Sequence, residues 1–389
     1  MPRIALIHDF LLDLRGAERV FAAICDAYPD ADVFTAVYDP VGTEGRFEAR
    51  HPSASFLQKL RPTSRSFRPL LPMYPHAIES LDLRGYDTVI SSSSAWAHGV
   101  LVDPGATHVC YCHNPFRYAW SEREATLSAR NAITRPPLRA LLSRWRQWDW
   151  IAAQRVDAYI ANSAVTQARI RRYFGRESVI LHPPVELSRF LPGPVGAHYL
   201  VLAELMAHKR IDVAVRAFNA LGLPLVVVGD GPEWRHLRRL AGPTVRLTGR
   251  LSDGEVADLL RSARALVVTA EEEFGIAAVE SLASGRPVIG LRAGGVLETV
   301  TAGRTGWFYD DGDDPAALAV AVRAFDVSAV DPLDCVSAAK RFGVEPFQEQ
   351  LRAIVDGASG RSPRAAERPL GGLLPRKASR RGAESMRIR

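Results

Sequence analysis

"ARALVVTAEEEFGIAAVESLASGRPVIGL", residues 263–291, decides the fold. A short apolar run ends in three carboxylates, Glu271, Glu272 and Glu273. Phe274 and Gly275 follow, then a helical pattern that stops at Gly285, then a second apolar run. Apolar runs alternating with helical patterns predict parallel strands with covering helices. The acidic loop would therefore join the carboxyl end of a strand to the amino end of a helix. That placement raises a question of charge, because a helix amino end favours anions: its first N–H groups lack partners and its dipole is positive there.

The residue types suggest how such a site divides its work. Gly275 leaves the backbone bare, so the N–H groups of Phe274 to Ile276 can approach an oxyanion. Ile276, Val279, Leu282 and Ala283 form the buried stripe of the helix, which turns Glu280 to its edge, toward the crevice. A carboxylate there suits a diol such as a ribose, and Glu272 on the loop suits sugar hydroxyls. On this reading the acids serve alcohols alone, and amides with a cation hold a diphosphate. "AELMAHKRID" offers Lys209 and Arg210 as cations, and "RAGGVLETV" offers a second glycine approach at Gly294 and Gly295. Taken singly, an acidic loop is ordinarily solvated surface and a glycine pair is ordinarily a turn. Two carboxylates and two loops around one sheet edge are a more specific combination.

The same alternation runs through most of the 389 residues. "RIALIHDF", "YDTVISSSS", "THVCYCH" and "VDAYIANS" read as strands of the first half. "YLVLAEL", "LPLVVVGDG", "TVRLTGR", "ARALVVTA", "RPVIGL" and "GWFYDD" read as strands of the second. The helix "GAERVFAAICDAYP" carries Val20, Ala23, Ile24 and Ala27 at helical spacing. The Pro-rich stretch 183–194 interrupts both helix and ladder. The expected fold is α/β, with two doubly wound, Rossmann-like domains facing a cleft. Its expected division is 1–183, a linker 184–197, a second domain 198–345, a last helix 346–356 and a basic tail 357–389. Ligands of such sheets sit outside the strand carboxyl ends.

Composition sets bounds on this picture. Hydrophobic residues are 47% and charged residues 24%, the balance of a soluble globular chain. No apolar run reaches the ~18 residues of a membrane span, and "MPRIALIHDF" lacks the basic start of a signal peptide. The expected location is the cytoplasm. The formal charge of +6 belongs to residues 356–389, which hold nine Lys/Arg against three Asp/Glu. This segment reads as a solvated tail or, more sharply, as a peripheral contact with anionic lipid at the inner face of the plasma membrane. The body carries no basic motif for nucleic acid. The Arg/Trp-rich segment 138–155 reads as an amphipathic helix, either packed through Trp145 and Trp148 or resting at an interface. Cys110 and Cys112 in "CYC" have neither zinc nor redox spacing and read as buried strand thiols.

With these residues in view, "EEEFGIAAVESLASGRPVIGLRAGGVLETVTAGRTGWF" resembles the family-4 retaining glycosyltransferases of the GT-B fold, in their mannosyltransferase-like branch. The pattern is Glu, seven residues, Glu, with Phe-Gly near the first: Glu272 to Glu280 around Phe274 and Gly275. "VGDGPEWRHLRRL", "VRLTGRLSDGEVADLL" and "AHKRIDVAVRAF" extend the likeness over most of 199–310. "HDFLLDLRGAERV", "YCHNPFRYAW" and "ANSAVTQARIRRYFG" continue it more loosely. The resemblance implies that Glu280 holds the nucleotide ribose, Glu272 the donor sugar and Lys209 the diphosphate. It implies backbone contacts from Phe274, Gly275, Ile276 and Gly16, a loop at Gly249 and Arg250 near the base, and His113 beside the reacting carbon. The implied partners are a nucleotide-sugar donor (GDP-mannose or a UDP-hexose) and a lipid-linked or polysaccharide acceptor, with no metal and no other cofactor.

The chain departs from that pattern twice. Glu204 stands where the family carries Arg, and Arg15 replaces the first of two glycines before "AERV". Arg210 could substitute for the missing cation, or Arg15 could bring one toward the phosphates or point away. Three other readings stay open. "GDGPEW" has Gly229 and Gly231 but Trp234 at the third glycine position, which disfavours a dinucleotide dehydrogenase. A sugar-nucleotide epimerase shares the architecture with a poorer motif match. A nucleotide-sugar-binding protein without turnover would account for Glu204.

Overall fold

The computed structural model describes residues 2–360; residues 361–389, which hold most of the expected basic tail, lie outside the described residues. Among the described residues thirteen strands form two sheets. The first contains β1 (Ile4–His8), β2 (Asp32–Thr35), β3 (Ser53–Ala54), β4 (Thr88–Ser93), β5 (Thr107–Cys112), β6 (Ala158–Ala161) and β7 (Ser178–Ile180). Their order is β3-β2-β1-β4-β5-β6-β7, and every pairing is parallel. The second contains β8 (Tyr199–Leu202), β9 (Leu225–Val228), β10 (Val245–Gly249), β11 (Leu266–Val268), β12 (Val288–Leu291) and β13 (Gly306–Tyr309). Their order is β10-β9-β8-β11-β12-β13, again all parallel.

Both sheets reverse their winding beside the first strand of the unit, between β1 and β4 and between β8 and β11. Such switch points open a crevice at the strand carboxyl ends. The residues there are His8, Ser92 and Ser93 in one sheet and Thr269 to Phe274 in the other. Each strand read from an apolar run forms; β2, β3 and β7 are additional and short.

Helices cover both faces because their apolar stripes must leave water. Helix Gly16–Ala27 buries Val20, Phe21, Ala23 and Ile24 against Leu6 and Ile90 of the first sheet. Helix Arg135–Ala153 packs through Trp145 and Trp148 on the fully buried Trp96, with ring centroids 5.3 and 5.6 Å apart. Its far end leaves Trp150 and Ile151 about half exposed. The last helix, Val344–Ala358, returns to the first sheet and buries Phe347, Leu351 and Val355 beside Tyr111. This helix therefore packs on the domain that contains β1. Cys25, Cys110, Cys112 and Cys335 are buried free thiols. Among the described residues no helix is long and apolar enough to cross a membrane.

Candidate functional site

Between the two sheets lies a cleft of about 550 Å³. Its second-domain wall grows from the acidic loop. β11 ends at Val268, Gly275 takes a positive φ of 87°, and helix Ile276–Ala283 starts immediately after it. The left-handed turn needs a glycine, since a Cβ there would be strained. The helix then stops at Ser284, with Gly285 also left-handed. The opposite wall is the start of helix Gly16–Ala27. A methyl group at Gly16 would lie 3.2 Å from Ile276 Cδ1, so the amino ends of the two helices meet across the cleft.

Of the residues read from the sequence, Gly16, His113, Lys209, Arg250, Glu272, Phe274, Gly275, Ile276 and Glu280 all line this cleft. Lys209 donates a hydrogen bond to Glu272 Oε2, and its backbone carbonyl accepts one from Thr269 at 2.7 Å. The ammonium is thereby fixed beside the end of β11. Glu280 stands deeper, where burial raises its carboxyl pKa while Arg189 and Arg19 pull it back down. Asp253 is bound by Arg19 and by Arg189, each at 2.9 Å. Among the described residues none hydrogen-bonds the Glu280 carboxylate, which leaves its oxygens free to accept from hydroxyls.

Four expectations change. Arg210 does not reach the cleft. It adopts a left-handed backbone, φ 50°, one step after a short 3₁₀ turn, and its guanidinium pairs with Asp212 and Asp313. It lines a separate depression of about 310 Å³ with Arg292 and Asp310. Gly249 is also set back from the cleft; its carbonyl accepts from Gly229, and only its neighbour Arg250 faces inward. Gly294 and Gly295 serve packing rather than anion approach. Gly295 donates to the Glu272 carbonyl at 2.8 Å, and a Cβ on it would fall 2.3 Å from Phe274 Cα. They let the second loop lie against the backbone of the first.

The acids are not reserved for alcohols either. Glu272 takes Lys209, and Glu273 takes the other domain. Asn114, Arg117 and Arg169 all donate to Glu273 Oε1, at 3.3, 3.3 and 3.0 Å. Burial opposes charge on Glu273, yet Arg117, Lys209 and Arg169 together hold its carboxyl below the usual range. Consecutive residues on a turning loop point to different neighbours, and a linear reading could not say which. The triplet of glutamates was the visible signal; its partners are more than 60 residues away in the chain.

The first-domain wall is organised differently. His113 Nε2 lies 2.8 Å from Ser92 Oγ, and His8 Nδ1 lies 3.1 Å from the same oxygen. One hydroxyl proton can serve only one imidazole, so the other ring must donate to the oxygen. Burial, with His8 adding to it, lowers the His113 pKa to about 3. His113 is a neutral imidazole at the cleft. Beneath it, Asp9 accepts the backbone N–H groups of Ser94, Ala95, Trp96 and Ala97 at 2.5 to 3.1 Å. Ser92 and Asp9 were missed in the sequence, where short polar residues at strand ends look alike.

Two doubly wound parallel domains, with a cleft at both switch points, define the GT-B class. Solved structures of that architecture superimpose over nearly the whole chain. Sucrose-phosphate synthase from Thermosynechococcus elongatus gives a TM-score of 0.70 at 17% identity, covering 92% of this chain and 100% of its own. Anabaena HepE, solved with UDP and glucose, gives 0.66 at 16% identity, also covering 92% and 100%.

Residues 14–189 match the family model described as Glycosyltransferase Family 4, and residues 197–325 that described as Glycosyl transferases group 1. A D-inositol 3-phosphate glycosyltransferase 2 of Catenulispora acidiphila is 31% identical over 226 residues, 48% of this chain and 53% of its own. A GDP-mannose-dependent alpha-mannosyltransferase of Corynebacterium glutamicum is 29% identical over 179 residues, 42% and 43% of the two chains. The chain spans about half the length of the curated relatives it matches. It belongs to the family-4 glycosyltransferases of the GT-B fold.

Proposed function

We propose that this protein transfers a hexose from a nucleotide sugar to a saccharide acceptor, with retention at the anomeric carbon and without a metal. One observation carries the reading. Lys209, the bare amino end at Gly275, the free carboxylate of Glu280 and the neutral imidazole of His113 line a single interdomain cleft.

Cleavage of the anomeric bond builds negative charge on the departing diphosphate and positive charge on the sugar ring. Rate comes from groups that interact more strongly with that distribution than with the bound donor. Lys209 and the N–H groups at Gly275 and Ile276 meet the diphosphate. Glu280 accepts from the ribose hydroxyls. Glu272, steered by Lys209, accepts from the sugar. His113, uncharged, orients the sugar near the reacting carbon. The acceptor hydroxyl attacks the anomeric carbon on the face from which the diphosphate departs, which gives retention. Its proton passes to the departing phosphate oxygen. Arg250 lies toward the base.

For the donor, GDP-mannose is the first choice, supported by the mannosyltransferase relative; a UDP-hexose is the alternative, since HepE was solved with UDP-glucose. The acceptor is a lipid-linked or growing polysaccharide chain, received along residues 61–78 and 116–150 of the first domain. A peripheral contact with anionic lipid fits the exposed Trp150 and Ile151. Glu204 supports a second reading, a nucleotide-sugar-binding protein without turnover, because it adds negative charge at the cleft.

Thermal stabilisation across a panel of nucleotide sugars tests the donor. A ligand at about 100 times its Kd should add about 2.7 kcal/mol, and a flat panel would end the proposal. Release of nucleoside diphosphate on adding acceptor separates an enzyme from a binder. Glu280→Ala should weaken nucleotide binding, whereas Glu272→Ala should mainly slow transfer.

A further inference from the structure

Arg15 immediately precedes helix Gly16–Ala27, at the point where the two helix amino ends meet. Its guanidinium reaches across the cleft to Glu204 Oε1 at 2.7 Å, and back to Asp13 at 2.9 Å. Glu204 follows β8 in the other domain, so one cation of the first domain is held by one acid of the second. Asp13 is itself bound by Arg250 at 2.9 Å, and Arg250 extends to Glu44 at 3.5 Å. Acids and bases thus alternate across the cleft mouth. Both Arg15 and Glu204 line the cleft that also holds Lys209.

We propose that Arg15 and Glu204 form an exchangeable pair: Glu204 holds the guanidinium over the cleft until the donor's diphosphate replaces it. The inference rests on the donor reading given above. Three observations support the exchange. The pair is accessible, with side chains 49% and 43% exposed, and exposed ion pairs contribute little on their own. A guanidinium bound to phosphate oxygens gains charge-assisted, forked hydrogen bonds, which are stronger. Asp13 meets the same guanidinium at 2.9 Å from the first domain, a second anchor by which Arg15 can change one partner without losing its position.

The exchange makes Glu204 a specificity residue. A nucleoside or monophosphate offers too little charge to compete with it for Arg15, whereas a diphosphate reaches the converging helix ends and displaces it. The cation that the second domain lacks at Glu204 is then supplied by the first domain, and its engagement ties donor binding to the approach of the two domains. Arg210 cannot take this part, since Asp212 and Asp313 hold it outside the cleft.

The test is calorimetry of UDP, GDP and their monophosphates on the full chain, using wild type, Glu204→Gln, Arg15→Gln and the double variant. Glu204→Gln should tighten the preferred diphosphate about fivefold and change monophosphate affinity less than twofold. Arg15→Gln should weaken the diphosphate about tenfold. In the Arg15→Gln background the glutamate substitution should have no further effect, the non-additivity expected of a shared interaction. Weaker diphosphate binding by Glu204→Gln would make Glu204 a ligand or a strut and overturn the exchange, as would strictly additive effects. If wild type binds neither diphosphate, the donor reading itself falls and this inference with it. If wild type binds one and the variants do not shift it, the exchange alone is wrong.

Discussion

The two walls of the cleft carry their polar groups in opposite ways. On the first-domain side His113 lines the cleft, and His8, Asp9 and Ser92 lie buried behind it, bonded to one another, to His113 or to backbone. On the facing wall Lys209, Glu204 and Glu272 are partly exposed and held in ion pairs that a ligand can enter. Burial fixes geometry and ionisation state, because an unmade hydrogen bond in the interior is costly. Exposure keeps a charge exchangeable, because water and salt weaken each pair. The wall that orients is built dry, and the wall that meets the diphosphate is built wet.

The largest expected effect falls on the exchangeable wall. Lys209→Ala removes the ammonium beside the departing diphosphate and leaves Glu272 without its partner. Turnover should fall about 100- to 1,000-fold, the range for losing one preorganised charge contact. Steady-state kinetics with the preferred donor measures it; a loss under tenfold would move the leaving-group work elsewhere.

The buried wall should respond most to acid. His113 on this wall, and His108 near the other end of β5 against Ser91, are both buried, and both have pKa values lowered to about 3, first by desolvation. Unfolded imidazoles titrate near ~6.5, so below that pH the unfolded chain binds more protons and stability falls as pH drops. Each histidine should cost about 1.4 kcal/mol per pH unit in the region well below 6.5 and above 3. Thermal midpoints should fall between pH 6.5 and 5, before most carboxylates protonate. A flat profile across that window would mean that these rings are not held neutral.

A smaller effect separates neighbouring acids of one loop. Glu273 receives three donors from the other domain, whereas Glu271 is 52% exposed and meets Arg169 at 3.5 Å. Glu273→Gln should lower the thermal midpoint by a few degrees, about 1–2 kcal/mol. Glu271→Gln should stay within about 0.5 kcal/mol. Equal shifts would remove the distinction between clasp and surface acid.

The exchangeable wall was also the more legible one. Glu272, Phe274, Gly275 and Glu280 lie within nine consecutive residues, so a loop and one helix turn bring them together without help from topology. The dry wall draws His8 from β1, Ser92 from β4 and His113 from the end of β5, which become neighbours only through strand order. The strands escaped notice for a related reason. β3 has two residues, β7 has three and leaves Val179 exposed, and β2, DVFT, has only two apolar residues between polar ends, so no apolar run stands out. Arg210 misled because adjacency in sequence implies adjacency in space only when the backbone continues its course. Its left-handed turn sends the side chain to another surface.

The central claim is that amides and an ammonium group hold the donor's diphosphate while Glu280 reads the ribose. A crystal structure with bound UDP or GDP tests it most directly. The account predicts phosphate oxygens within hydrogen-bonding distance of Lys209 Nζ and of the N–H groups at Gly275 and Ile276, with the ribose hydroxyls on Glu280. A nucleotide seated elsewhere, or turned so that its base meets Glu280 and its phosphates leave Lys209, would contradict it.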